Sequence, residues 1–294
     1  MRGVWLLAAI FLGYTQLGFA IYGPSLTRAD PAVSLRACQE AGFTHARQIA
    51  RAMQSRSPSV SLSVLGDALQ ELHGTSSTAA LYPARAFCVH ELVPVSLAAN
   101  STRETRKLPT PEVSEFATLG LKYVYYEPDD RWVLRQNPVD LNELAAKYLG
   151  SRWGRQAFLM MTWLGWSQGS CQEGPDQFRE VIAHGKSFLR VYPDTEVSDD
   201  IRLAMANAYE TWWNLSLARN PPDGTAKKDG WTNNYVNGAK EAREAAIGLY
   251  RSYLAKQKVR QPGAIQDVQH RLKQLRDNPN GSNTYDYFCG DYED

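Results

Sequence analysis

The chain has 294 residues, with 32 Lys and Arg against 31 Asp and Glu and a formal net charge of +1. A balance this close to zero excludes the long-range field of a protein built to coat nucleic acid or a charged membrane surface. The length and the 44% hydrophobic content suffice for one large or two small domains with a real core.

Residues 1–20, MRGVWLLAAIFLGYTQLGFA, read as a secretory signal peptide. Arg2 is its basic start, Val4 to Leu12 its short apolar core, and Gly18-Phe19-Ala20 its small-residue exit. The apolar run is too short for a permanent membrane helix, and no later stretch is long and apolar enough to cross a bilayer. The first cysteine, Cys38, is too far downstream to be lipidated at a lipobox. A periplasmic or secreted chain is therefore expected, without an integral membrane segment once the signal is removed. Export makes Cys38, Cys88, Cys171 and Cys289 disulfide candidates, with up to two bridges and three possible pairings.

Segment 21–136 is expected to be a small α+β unit. Leu35, Cys38, Phe43, Ala46, Ile49 and Met53 recur at helix spacing over 21–57, and Ser57-Pro58-Ser59 ends the pattern. Over 59–135 the runs VSLSVL, AFCVHELVPVSL, LKYVYY and RWVLR are short, rich in β-branched and aromatic residues, and bounded by Pro, Gly and Asp, which predicts strands. A charged, proline-bearing loop, 101–113, separates them.

From 137 to 276 the pattern is helical. Five apolar stripes follow the i, i+3, i+4, i+7 rule, from Leu141-Leu144-Ala145-Tyr148 to Ile265-Val268-Leu272-Leu275. AFLMMTWLGW (157–166) is apolar nearly all round, so periodicity alone leaves helix and buried strand open. An internal repeat selects helix. At an offset of 44 residues Tyr148 meets Tyr192, Ser151 meets Thr195, Ala157 meets Ile201 and Met161 meets Met205. A weaker third copy begins at 248, displaced by a Gly/Pro/Asn-rich insertion at 219–238. Repeated helix hairpins predict a solenoid, because one hairpin cannot bury its own apolar face. The tail 277–294 carries five acids and no base, after nine bases against three acids in 239–276.

The stretch FLRVYPDTEVSDDIRLAMANAYE resembles the tetratricopeptide-like repeats of bacterial envelope proteins, the BamD-like and Tol–Pal-associated periplasmic families. There a helix ends in YP, the turn carries DS or DT, and acids open the next helix. The resemblance covers about residues 137–276. Departures are a period of 44 where that repeat has about 34, no W-x-x-L-G-x-x-Y opening, and no lipidation cysteine. It implies a helical scaffold that contacts a protein partner in the envelope.

GWSQG (165–169) spells the G-x-S-x-G of a nucleophile elbow and resembles the corresponding motif of carboxylesterases and acyl-protein thioesterases. The repeat places it at the end of a helix, not at a strand-to-helix turn. Only His184 and His270 follow Ser167, no HGGG-like loop precedes it, and the upstream strands are too few for a doubly wound sheet. The five histidines make no H-E-x-x-H, and neither a Walker loop nor G-x-G-x-x-G is present. Asp194, Glu196, Asp199 and Asp200 lack EF-hand spacing and read as a helix start, with Ser198 as its cap. No catalytic residue, metal site or cofactor is therefore assigned.

Trp213, Trp231 and Tyr235 are the partner-binding candidates. Trp212 fits an apolar stripe, which should turn Trp213 to another face, and Trp231 and Tyr235 lie in the insertion that interrupts the array. The expectation is a mainly α protein: a tetratricopeptide-like helix-hairpin solenoid at 137–276 behind a small α+β segment, acting as a non-catalytic adaptor. The alternatives are an envelope serine esterase using Ser167, a peptidoglycan-binding module using the tryptophans, and, more weakly, binding of anionic lipid by the basic 239–276 helices.

Overall fold

A computed structural model of the chain describes residues 31–54, 62–74, 80–100, 117–126, 131–164, 176–217, 237–256 and 262–278. The signal-like leader, the 101–113 loop, GWSQG, Cys171, Trp231, Tyr235, the acidic tail from 279 and Cys289 lie outside the described residues. The fold is mainly α. The helices are α1 (Pro31–Glu40), α2 (Ala46–Gln54), α3 (Leu62–His73), α4 (Tyr82–Asn100), α5 (Leu141–Tyr148), α6 (Arg152–Leu164), α7 (Asp176–Val191), α8 (Ser198–Leu217), α9 (Ala239–Ala255) and α10 (Pro262–Asp277). Strands β1 (Lys122–Tyr126) and β2 (Arg131–Gln136) form an antiparallel hairpin between α4 and α5 in the chain, pairing Tyr123 with Leu134 and Tyr125 with Trp132.

The N-terminal expectations change in two places. The single helical pattern of 21–57 is two helices. Gly42, at φ 62°, turns the chain between α1 and α2 through a conformation that costs glycine nothing. Of the four predicted strands only LKYVYY and RWVLR contribute strands, while Leu62–Leu65 of VSLSVL belongs to α3 and AFCVHELVPVSL to α4. The reason is burial. From Pro83 to Val93 every residue of α4 is buried, because α1, α2, α3 and α5 all pack on it. A helix covered on all sides keeps no 3.6-residue polar face to betray it.

The described residues form two compact units, one ending at Met161 and the other starting at Thr162. The division falls inside α6, so the α5–α6 hairpin belongs, through Met161, with the N-terminal helices. Its aromatics hold it there. Tyr148 packs on Tyr82 with ring centres 5.2 Å apart, and Trp153 packs on Phe87 at 5.4 Å. The Trp153 indole N–H also donates to Glu40 Oε2 at 3.0 Å.

In the C-terminal unit the helices pack in chain order: α8 lies against α7 and α9, and α9 against α10. Gly185 of α7 lets α8 come close, since a Cβ there would sit 2.5 Å from Met205 Sδ. The helical choice for 157–164 agrees with α6. Positions 44 residues apart are also buried alike: Leu144 with Phe188, Trp153 with Val197, Ala157 with Ile201 and Met161 with Met205.

The two inter-helix turns share one piece of chemistry. Ser151 Oγ donates to Tyr148 O at 2.7 Å and accepts from Gly154 N at 3.0 Å, closing the start of α6. In the other hairpin, Ser198 Oγ donates to Tyr192 O at 2.8 Å. Gly154 and Ser198 are themselves 44 residues apart. A Cβ on Gly154 would meet Tyr148 O at 1.9 Å, the carbonyl equivalent to the one that takes the Ser198 hydroxyl. Ser198 is thus not the side-chain cap expected of it. Its oxygen accepts from Thr195 N at 2.7 Å, and Val197 O takes the Ile201 N–H.

Candidate functional site

The chemistry-bearing side chains expected from the sequence are placed as follows. Trp213, expected to be open to a partner, is buried at 5% exposure, and Trp212 is at 9%. The burial of Trp213 takes it out of the partner-binding candidates, and both positions follow from the packing order. A helix between two neighbours must bury two faces, and adjacent residues on a helix point about 100° apart. Trp212 lies under the Arg179 guanidinium of α7, 5.1 Å from the ring centre, and closes on Gly238 at the start of α9. Trp213 takes the Arg243 guanidinium of α9 at 5.6 Å. Lys186 of α7 stands over Tyr209 at 5.7 Å in the same manner. The aromatic excess of α8 therefore binds its own neighbours.

The acids near α8 are also held within the unit. Asp194 and Asp199 take Lys256 Nζ at 3.2 and 3.4 Å, and Asp199 takes Arg202 at 2.7 Å. His184 and His270, the two histidines after Ser167, are both exposed on their helices.

Two polar clusters that sequence reading did not find lie in the interior. In the C-terminal unit Glu210 of α8 joins three helices. Its Oε2 accepts from Tyr250 of α9 at 2.5 Å and from Arg271 of α10 at 3.1 Å, with Asn207 Oδ1 2.7 Å from the same hydroxyl. A phenol has one proton, which goes to the carboxylate, so the Asn207 amide is best turned to donate its N–H to the phenol oxygen. Tyr250 is fully buried. Burial first, and then the negative charge of Glu210, push its hydroxyl well above the usual tyrosine range. The cluster pins the order and register of α8, α9 and α10.

In the N-terminal unit the cluster surrounds α4. The Arg85 guanidinium, with the residue 7% exposed, donates to Ala41 O at 2.9 Å, to Glu71 O at 2.8 Å and to Gly42 O at 3.4 Å. These carbonyls lie at the ends of α1 and α3, where backbone oxygens have no helical partner and the helix dipole is negative. The Glu71 carboxylate meanwhile accepts from Thr44 N at 3.1 Å, just before α2. One turn on, Cys88 is bridged to Cys38 of α1. Beyond it Glu91, fully buried, accepts from Ser34 Oγ at 2.6 Å, and His90 lies 3.9 Å from the same carboxylate. The serine hydroxyl donates its hydrogen bond to the acid. Asn137 Nδ2 reaches His90 O at 3.5 Å, the carbonyl that Pro94, lacking an N–H, leaves open in the helix ladder.

A notch of about 30 Å³ lies between α4 and α5, lined by Tyr82, Asp140, Glu143 and Tyr148 among others. It has room for a water or two. Burial, then Tyr148 and Glu143, raise the Tyr82 hydroxyl. Asp140 caps α5 through Asn142 N at 2.8 Å, and Glu143 pairs with Lys147 at 2.5 Å.

No protein-family model, curated protein or solved structure matches the chain. No helix among the described residues is long and apolar enough to cross a membrane. The Cys38–Cys88 bridge fits an oxidising, extracellular or periplasmic setting.

Proposed function

We propose that the chain is an exported, non-catalytic helical-repeat adaptor that binds a protein partner in the cell envelope. The observation that carries this reading is the packing of α7, α8, α9 and α10, each against the next in chain order. That order is what stacked helix hairpins require. The matched burial of positions 44 residues apart in the α5–α6 and α7–α8 hairpins supports a repeat origin for both. The resemblance to tetratricopeptide-like envelope proteins supplies the use: arrays of this kind present an extended surface to a segment of another protein.

Because Trp213 serves packing, the expected contacts move to the exposed helix faces and to the insertion at 219–238, with Trp231 and Tyr235. The competing esterase reading rests on Ser167. Incubation of the purified chain with a fluorophosphonate probe separates the two: an adaptor leaves Ser167 unlabelled at probe levels that saturate a control esterase. Labelling that disappears in Ser167→Ala would replace the adaptor with an enzyme.

A further inference from the structure

We propose that α1 is a redox-controlled strap, docked on α4 while the Cys38–Cys88 bond is intact and released about the Gly42 turn when a dithiol reduces that bond. The first ground is the poverty of the docked face. The fully buried side chains of α1 and its end are Ser34, Ala37, Cys38 and Ala41, all small, while Val33 and Leu35 are only half-buried. The α4 side of the core carries Phe87, Val89, Leu92 and Val93, each fully buried. Small side chains remove little apolar surface from water, and a helix of 10 residues is marginal by itself.

The second ground is the character of the other ties. Ser34 Oγ donates to Glu91, the Trp153 indole N–H donates to Glu40, and Arg152 stands 3.8 Å from the same Glu40 carboxylate; these are polar ties of modest net strength. The disulfide joins the last turn of α1 to α4 and is the covalent tie that holds the helix on its seat.

The third ground is a built hinge. Arg85 holds Ala41 O and Gly42 O, and Glu71 holds Thr44 N. The turn is thereby pinned from α3 and α4 without help from the α1 side chains, and Gly42 supplies the positive φ about which the helix departs.

The chemistry is thiol–disulfide exchange. A thiolate of the dithiol attacks one cystine sulfur and forms a mixed disulfide, and the other cysteine leaves as thiolate. The second thiolate of the reagent then displaces the bound cysteine and closes its own disulfide, so two electrons and two protons pass to the chain. Both cysteines are at most 1% exposed, so attack follows a partial opening of α1.

Hydrogen exchange on the full mature chain, with and without dithiothreitol, tests this. The expected result is that amides of 32–40 lose their protection on reduction, while those of 84–93 and of α6 keep theirs. Trypsin should then cut at Arg36 only in the reduced chain. The double variant Cys38→Ala, Cys88→Ala should reproduce both results without reductant. Equal protection of α1 and α4 in the reduced chain would show that docking does not need the bond. Joint loss from α1 and α4 would show that the bond staples the whole unit. Either outcome overturns the strap.

Discussion

At the scale of single residues, Arg85 ties the ends of α1 and α3 to α4 in the N-terminal unit. Its guanidinium satisfies three backbone oxygens in an interior that offers them little water. Arg85→Ala should cost about 3 kcal/mol in urea unfolding of that unit. Arg85→Lys should recover only part of this, because an ammonium lacks the planar fork that reaches divergent carbonyls. The glycines divide as sharply. Gly154→Ala drives a Cβ into the Tyr148 carbonyl at 1.9 Å, backbone that cannot move aside, and should cost about 3 kcal/mol. Gly248, inside α9 with nothing within 4 Å, should gain about 0.5–1 kcal/mol as alanine. Thermal or urea unfolding of the two variants side by side checks both signs. Tyr250 sets a pH dependence. Its folded hydroxyl holds its proton above the ordinary value of 10.0, so the folded state binds more protons than the unfolded state at higher pH. The stabilisation is therefore whole below about pH 10 and is lost as pH rises beyond it. Tyr250→Phe, compared with wild type between pH 9 and 11.5, should flatten that decline and be less stable at neutral pH through loss of the bond to Glu210.

At the scale of elements, the C-terminal helices were legible because each carries one dry stripe and one wet face. Phe178-Val181-Ile182-Gly185-Phe188 is a buried row that spacing alone reveals. The same rule fails for α4. Ala86-Phe87-Cys88-Val89 looks like a strand because its neighbours enclose it, and enclosure is a property of other segments. The split at Gly42 is hidden because the apolar row continues across it by coincidence: Cys38 and Ile49 are both buried, but in different helices on opposite sides of the turn. The candidate site shows the limit more plainly. Trp213 was readable as an aromatic out of register with one stripe. Its burial follows from α9 lying on the second face of α8, and no local pattern encodes that. Glu210, Tyr250 and Arg271 meet across 40 and 61 residues of sequence. Tyr250 could be found as an apolar-stripe member, but its partnership with a carboxylate could not. Glu210→Gln tests this link: it keeps the shape, loses the charge opposite Arg271, and should lower stability by about 2 kcal/mol, read by urea unfolding.

At the scale of the whole molecule, the two compact units are closed in different ways. The N-terminal unit closes on a disulfide and a buried guanidinium, and the C-terminal unit on helices laid down in chain order. Neither arrangement names a partner, and the adaptor reading stands or falls on there being one. The most direct measurement is crosslinking in intact cells, followed by purification of the mature chain from the envelope and mass spectrometry of what remains attached. The adaptor account predicts one defined protein at near-stoichiometric yield, retained by the wild-type chain and lost when 219–238 is deleted from a chain that still folds by circular dichroism. Recovery of nothing above a mock purification, or of the same proteins from wild type and deletion alike, would contradict it.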